Sequence, residues 1–337
     1  MTPPPVAINA RAAARREIGG VERLAREMTA RLPRLRPERY RVIQPPEALA
    51  HRAGHAWEQA ALPLLARGAS LIYSPANLAP LASSRRNVVV IHDVAAVRHP
   101  EWYRPAYVAY QRALLPRIAL GARLIITVSE FSKTEIVDVL GADPDRITVV
   151  PNGVDERFSP TAHATLGTQR PYVLVVGTRI ARKNTAILEE AARRLDRAGV
   201  DLVHAGSGRG YMRAETSAPM RELGYVPDTE MPGLYAGALA LAMPSLYEGF
   251  GLPCLEAMAC GTPVVASDRA ALPEVTGGAA VLLDPDDETA FAEALERLAG
   301  DESHRADLAA RATERARPFT WERTAALTDA AIDGLLR

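Results

Sequence analysis

Two glutamates, Glu248 and Glu256, stand eight residues apart in the run SLYEGFGLPCLEAMACGTPVV (245–265). Gly249, Gly251 and Pro253 lie between them and forbid one continuous helix from the first carboxylate to the second. The apolar run LALAMP (239–244) precedes them and reads as a strand, which puts Glu248 on a loop at that strand's mouth. The chain then turns at Gly249-Phe250-Gly251, and a helix is expected from about Leu252, with Pro253 in its first turn where a missing N–H costs nothing. Glu256 follows about one turn inside. The unpaired N–H groups of such a helix start suit a phosphate or diphosphate. Carboxylates are no use to that anion, but they accept hydrogen bonds from hydroxyls on either side of it. A ligand with hydroxyls flanking a diphosphate is a nucleotide sugar, hexose at one end and ribose at the other.

The remainder of the chain has to position this stretch. At 337 residues it exceeds the ~250–300 at which single cores stop growing, so two domains are expected. Hydrophobic residues make up 48% and charged residues 24%, which excludes wholesale disorder. Two cysteines, Cys254 and Cys260, are too few for a disulfide framework and read as buried and reduced. The first residues lack the apolar core of a signal peptide, and no window approaches the ~18 apolar residues of a membrane span; the expectation is a cytoplasmic protein. The net charge of zero hides a split: residues 1–150 carry 21 Lys/Arg against 13 Asp/Glu, and the excess reverses in the remainder. The basic half suits anionic headgroups, a phosphorylated acceptor or nucleic acid, or simply an acidic face of the other half.

Apolar runs alternate with amphipathic ones along the whole chain. Strands are expected at 6–9, 70–74, 88–92, 124–129, 147–151, 172–177, 201–206, 239–244, 262–267 and 280–284, with helical patterns such as GVERLAREMTARL and NTAILEEAARRLDRAG between them. This alternation predicts an α/β protein with parallel, doubly wound sheets covered on both faces. The turn-rich passage 151–171 is the natural linker between two such domains, and ligands are then expected in a cleft at the carboxyl ends of strands.

Other motifs say less. Gly19-Gly20, between the first strand and a helix, would let backbone approach a phosphate or acceptor, and also suits an ordinary turn. Gly206-Ser207-Gly208-Arg209-Gly210 follows a strand, but no βαβ unit with a placed acidic residue follows it, which argues against NAD. The Asp-Pro-Asp runs at 143–145 and 284–286 read as turns rather than metal sites, and the histidines show no metal-ligand spacing. The closing segment RPFTWERTAALTDAAIDGLLR is amphipathic, with Trp321, Leu327, Ile332 and Leu335 available for burial.

The stretch 245–267 resembles the signature of the family 4 retaining glycosyltransferases, and the likeness continues in order through 19–27, 74–81, 88–103, 126–133, 147–158 and 176–184. The resemblance implies a GT-B arrangement of two Rossmann-like domains around a cleft. An N-terminal acceptor domain would span 1–155, a nucleotide-sugar domain 156–317, and a helix at 318–337 would cross back to the first. It matches Glu248 to the glutamate contacting the donor hexose and Glu256 to the one holding the ribose. The Gly249, Phe250, Gly251 and Leu252 backbone, with Gly19 and Gly20, would hold the diphosphate. Arg182 and Lys183 fall at the diphosphate-binding cations, which would meet charge on the leaving group without a metal. Thr178 stands where many members have arginine, which leaves Arg179 as a stand-in. His92, expected to end the strand 88–92, matches a histidine that contacts the sugar. The implied activity is retaining, metal-independent hexosyl transfer, without a covalent enzyme intermediate, to a sugar, lipid-linked or phosphorylated acceptor, with peripheral membrane contact through the basic half and no nucleic acid. HDVAAVRHPEWY and PNGVDERF resemble members that use GDP-mannose; UDP- and dTDP-sugars stay open. A non-catalytic nucleotide-sugar-binding protein and a nucleotide-sugar epimerase are the alternatives.

Overall fold

The computed structural model describes residues 4–15, 18–47, 49, 54–163, 170–206 and 218–337. These fall into two compact units. The first comprises residues up to Arg98, Ala106–Gly153 and Thr320–Arg337; the second comprises His99–Pro105 and Val154–Phe319. The chain therefore passes between units at 153/154 and 319/320, and a short segment at 99–105 belongs with the second unit.

The first unit contains β1 (Val6–Asn9), α1 (Gly20–Leu35), β2 (Tyr40–Ile43), α2 (Gly54–Leu65), β3 (Leu71–Ser74), β4 (Asn87–Val90) and α3 (Ala95–Arg98). It continues through α4 (Pro105–Gly121), β5 (Leu124–Thr127), α5 (Glu130–Leu140) and β6 (Ile147–Val149). Its six strands are all parallel in the order β2-β1-β3-β4-β5-β6. The central strands are buried at every position, as expected of VAIN, LIYS, NVVV and LIIT covered on both faces. Local signals set the helix ends. Ser129 Oγ caps α5 through the Ser132 N–H, and Gly141 ends it in a left-handed conformation at φ 68°.

The second unit contains β7 (Tyr172–Val176), α6 (Glu189–Arg197), β8 (Asp201–Ala205), β9 (Arg221–Gly224), α7 (Met231–Ala236), β10 (Ala240–Met243) and α8 (Leu252–Ala259). After these come β11 (Val264–Ser267), α9 (Leu272–Thr276), β12 (Val281–Leu283), α10 (Glu288–Gly300) and α11 (Glu302–Ala316). The strands are again parallel, in the order β12-β11-β10-β7-β8-β9. Its core joins Val173, Val175 and Val265 to Leu195, Phe291 and Leu298 of the covering helices.

The last helix, α12 (Trp321–Asp333), packs on α1 in the first unit. Trp321 is fully buried, and Asp329 accepts from Tyr40 Oη at 2.7 Å and pairs with Arg36 and Arg39. All ten expected strands are present. The chain adds β2 and β9, whose sequences YRVI and RELG were too polar to single out. Asp143 and Asp284 accept backbone N–H bonds two residues ahead, so both Asp-Pro-Asp runs are turns. Both cysteines are buried and unpaired. The glycine run at 207–210 lies outside the described residues.

Candidate donor site

In the second unit the strand order is that of a doubly wound nucleotide-binding sheet. Its winding reverses between β7 and β10, and such folds bind ligands at the carboxyl ends of the strands at this switch. A pocket lies there, lined by Gly177 and Thr178 after β7, Pro244 and Ser245 after β10, His204 of β8, and Lys183. Backbone there is held close by glycine. Gly177 has φ 132°, and a Cβ on it would fall 3.0 Å from Lys183 Cε. A Cβ on Gly206 would lie 2.0 Å from the Gly177 carbonyl oxygen, so that position is closed to any side chain.

Arg182 and Lys183 sit on a single 3₁₀ turn, Ala181–Lys183, and meet the loop after β10. The Arg182 carbonyl accepts from Leu246 N–H at 2.8 Å, and Arg182 Nη1 donates to the Tyr247 carbonyl at 2.8 Å. Glu248 then faces both cations: its Oε1 is 2.7 Å from Lys183 Nζ and 3.0 Å from Arg182 Nη1. Burial alone would raise the Glu248 carboxyl, but the two cations outweigh it and hold it at about 2. Burial lowers Lys183, opposed by Glu248 and reinforced by Arg182. Two cations and one carboxylate leave one net positive charge beside the pocket, which Lys183 lines.

Beyond Glu248 the chain folds as its glycines and proline require. Gly251 takes φ 92° and caps α8, and a Cβ on it would strike Leu272 Cδ2 at 2.6 Å. Pro253 lies in the first turn, and Cys254 N–H already bonds the Gly251 carbonyl at 2.9 Å. The helix start therefore offers fewer open donors than a full turn would: Pro253 has none and Cys254 is taken. Phe250 is buried against Phe319, with ring centroids 6.2 Å apart, so its side chain is core and only its backbone can serve a ligand. Glu256, one turn into α8, is buried and accepts from Tyr235 Oη at 2.9 Å. Burial and Glu248 push the nearby Cys254 thiol up to about 12, which keeps it neutral.

The segment 99–105 braces this loop. His99 stacks on Trp102 with centroids 4.1 Å apart, and both rings present edges to Tyr247, the residue before Glu248. Nothing in the sequence separated HPEWY from the first unit.

The remaining expected site residues lie in the first unit. His92 does not end its strand. β4 stops at Val90, and His92 is held in the following loop, its N–H donating to Asn77 Oδ1 at 2.8 Å and its carbonyl accepting from Ser132 Oγ at 3.0 Å. Burial lowers its imidazole, opposed by Asp93. Gly19 caps α1, and its N–H is taken by Glu22 Oε2 at 3.1 Å, so it is engaged by its own helix; Gly20 begins that helix and is exposed. Arg179, the expected stand-in for an arginine at 178, pairs with β9: its Nη1 lies 2.9 Å from Glu222 Oε1. Tyr235, Tyr247, Ser245 and His204 had no signal in sequence, because each is placed by partners far along the chain. Among the described residues no group of three or more His, Cys, Asp or Glu is placed to hold a metal, and no helix is long and apolar enough to cross a membrane.

Two doubly wound units, one with two cations and a carboxylate gathered at its switch point, are what the comparisons with known proteins have to match. The model for Glycosyltransferase Family 4 matches residues 18–158, and that for Glycosyl transferases group 1 matches 170–301. The O-antigen chain mannosyltransferase B of Escherichia coli is 36% identical over 258 residues, covering 70% of this chain and 67% of that protein. A D-inositol 3-phosphate glycosyltransferase of Kribbella flavida is 37% identical over 227 residues, 58% of this chain and 53% of that one. The structure of Anabaena Alr3699/HepE in complex with UDP and glucose superposes with a TM-score of 0.73 at 18% identity, covering 98% of this chain and all of that one. The chain belongs to the family 4 glycosyltransferases, is a glycosyltransferase, and has their two-domain GT-B fold. The matched segment is two thirds of the E. coli relative's length and about half of the K. flavida one's.

Proposed function

We propose that the protein transfers a hexose, with retention and without a metal, from a nucleoside diphosphate sugar bound by the second unit to an acceptor hydroxyl bound by the first. The observation that carries this is the convergence of Arg182, Lys183 and Glu248 beside the pocket at the β7/β10 switch. The two cations meet the diphosphate and stabilise the charge that develops on it as the glycosidic bond breaks. Glu248, held ionised, accepts from hexose hydroxyls near the reacting carbon. Glu256, positioned by Tyr235, does the same for the ribose. His92, kept neutral by its burial, contacts the sugar from the first unit.

Mannose from GDP-mannose is the favoured donor; that the E. coli relative is a mannosyltransferase supports the sugar. The UDP bound to HepE supports a nucleoside diphosphate more generally. A lipid-linked or phosphorylated acceptor, met by peripheral membrane contact, is favoured by the basic character of residues 1–150. The test is transfer from radiolabelled GDP-mannose, UDP-glucose and dTDP-rhamnose to lipid and soluble acceptor pools, with and without EDTA. Label incorporated from one donor, unchanged by EDTA and of retained anomeric configuration, is the expected result. Hydrolysis or epimerisation without an acceptor product would overturn it.

A further inference from the structure

His204 belongs to β8 and is 2% exposed. Its Nε2 lies 2.8 Å from the Gly177 carbonyl, and its Nδ1 lies 2.8 Å from Glu222 Oε2. Both partners only accept: one is a carbonyl, the other a carboxylate whose second oxygen pairs with the Arg179 guanidinium at 2.9 Å. A neutral imidazole has one N–H and satisfies one of the two; an imidazolium satisfies both.

The circuit is closed. It runs from Gly177 through His204 and Glu222 to Arg179, two residues beyond its start, and so pins both ends of the turn that follows β7. The Gly177 N–H is fixed as well, donating to the Ala205 carbonyl at 3.0 Å. In a trans peptide the C=O and the next N–H point in opposite directions. Binding the Gly177 carbonyl to His204 therefore sets the direction of the Thr178 N–H, and Lys183 Nζ lies against the same glycine.

We propose that His204 is a positioning residue for donor binding: donating from both ring nitrogens, to the Gly177 carbonyl and the Glu222 carboxylate, it orients the Gly177–Thr178 peptide so that the Thr178 N–H joins Arg182 and Lys183 in holding the donor's diphosphate. This rests on the second unit's reading as a nucleoside diphosphate site.

The experiment uses the full chain, with GDP, UDP, dTDP and ADP as calorimetric probes and nitrogen-resolved NMR of ¹⁵N-histidine-labelled protein at pH 7.5. The His204 signal is assigned by its loss in His204→Gln. The expected wild-type spectrum shows protons on both ring nitrogens. In Glu222→Gln the new amide donates to Nδ1, and one proton leaves the ring. His204→Gln places an amide oxygen against Glu222 and should weaken diphosphate binding about tenfold. The double variant His204→Gln/Glu222→Gln rebuilds the chain of donors: the amide at position 222 donates to the amide at position 204, which donates to the Gly177 carbonyl. It should recover most of the lost affinity. KM for the donor should follow these affinities, with kcat changed far less. A single-tautomer ring in the wild type, or equal affinity in all variants that fold, overturns the inference. Failure of the wild type to bind any diphosphate would instead remove the donor-site reading beneath it. Loss of binding in His204→Gln without recovery in the double variant would mark a merely structural role and also overturn it.

Discussion

Glu248→Gln keeps the shape of the side chain and deletes its charge, which separates the two functions assigned to that carboxylate. In the folded protein Glu248 is 7% exposed and its carboxyl is held at about 2, against an ordinary 4.5. That difference corresponds to about 3 kcal/mol of folded-state stabilisation. Because the folded value is depressed, the contribution is complete above the ordinary carboxylate range and disappears as pH falls from about 4.5 toward 2. Urea unfolding of wild type and Glu248→Gln, followed by circular dichroism, should therefore differ by about 3 kcal/mol at pH 6 and by roughly half of that at pH 3. The variant also leaves Lys183 and Arg182 without their anion, doubling the net positive charge of the cluster. It should bind nucleoside diphosphates at least as tightly as wild type, while turnover drops about a hundredfold or more for loss of the negative charge proposed to sit near the reacting carbon. A stability gap that does not change with pH would show that Arg182 and Lys183 do not hold Glu248 ionised, and a variant that turns over normally would show that its charge has no part in transfer.

Lys183→Ala and Arg182→Ala each remove a cation proposed to meet the diphosphate and should weaken diphosphate binding by about tenfold or more by calorimetry, with kcat/KM falling in step. Gly251→Ala forces a side chain into φ 92° and onto Leu272; a loss of about 1–3 kcal/mol in unfolding experiments, with weakened donor binding, is expected. Asp329→Ala takes the acceptor from Tyr40 and Arg36, while Arg39 keeps Asp333, and should lower the stability of the first unit by about 1–3 kcal/mol, measured by hydrogen exchange of α12, with diphosphate affinity unchanged. His92→Ala should lower kcat without changing diphosphate affinity.

Much of this was legible in sequence for physical reasons. Strands buried on both faces must be continuously apolar, so VVVI, LIIT and YVLVV announced themselves. The two that did not, YRVI and RELG, are edge strands whose exposed faces tolerate Arg and Glu. The loop and helix around Glu248 were readable because glycine and proline act locally. The pairing of Glu248 with Arg182 and Lys183 was not, since 65 residues separate the two segments and only the β7/β10 switch brings them together. His92 was misplaced by two residues because strand ends are set by pairing, and β4 pairs only as far as Val90 with Ile126. The circuit of His204, Glu222 and Arg179 was invisible for the same reason: it depends on the β7-β8-β9 register.

We assign Arg182 and Lys183 to a nucleoside diphosphate. Titration calorimetry of the full chain with GDP, UDP, dTDP and ADP tests it most directly, with EDTA present and with Arg182→Ala/Lys183→Ala as control. Saturable binding of one diphosphate to one chain, unchanged by EDTA and lost in the double variant, is expected. No binding of any diphosphate, or binding that survives in the double variant, would contradict it.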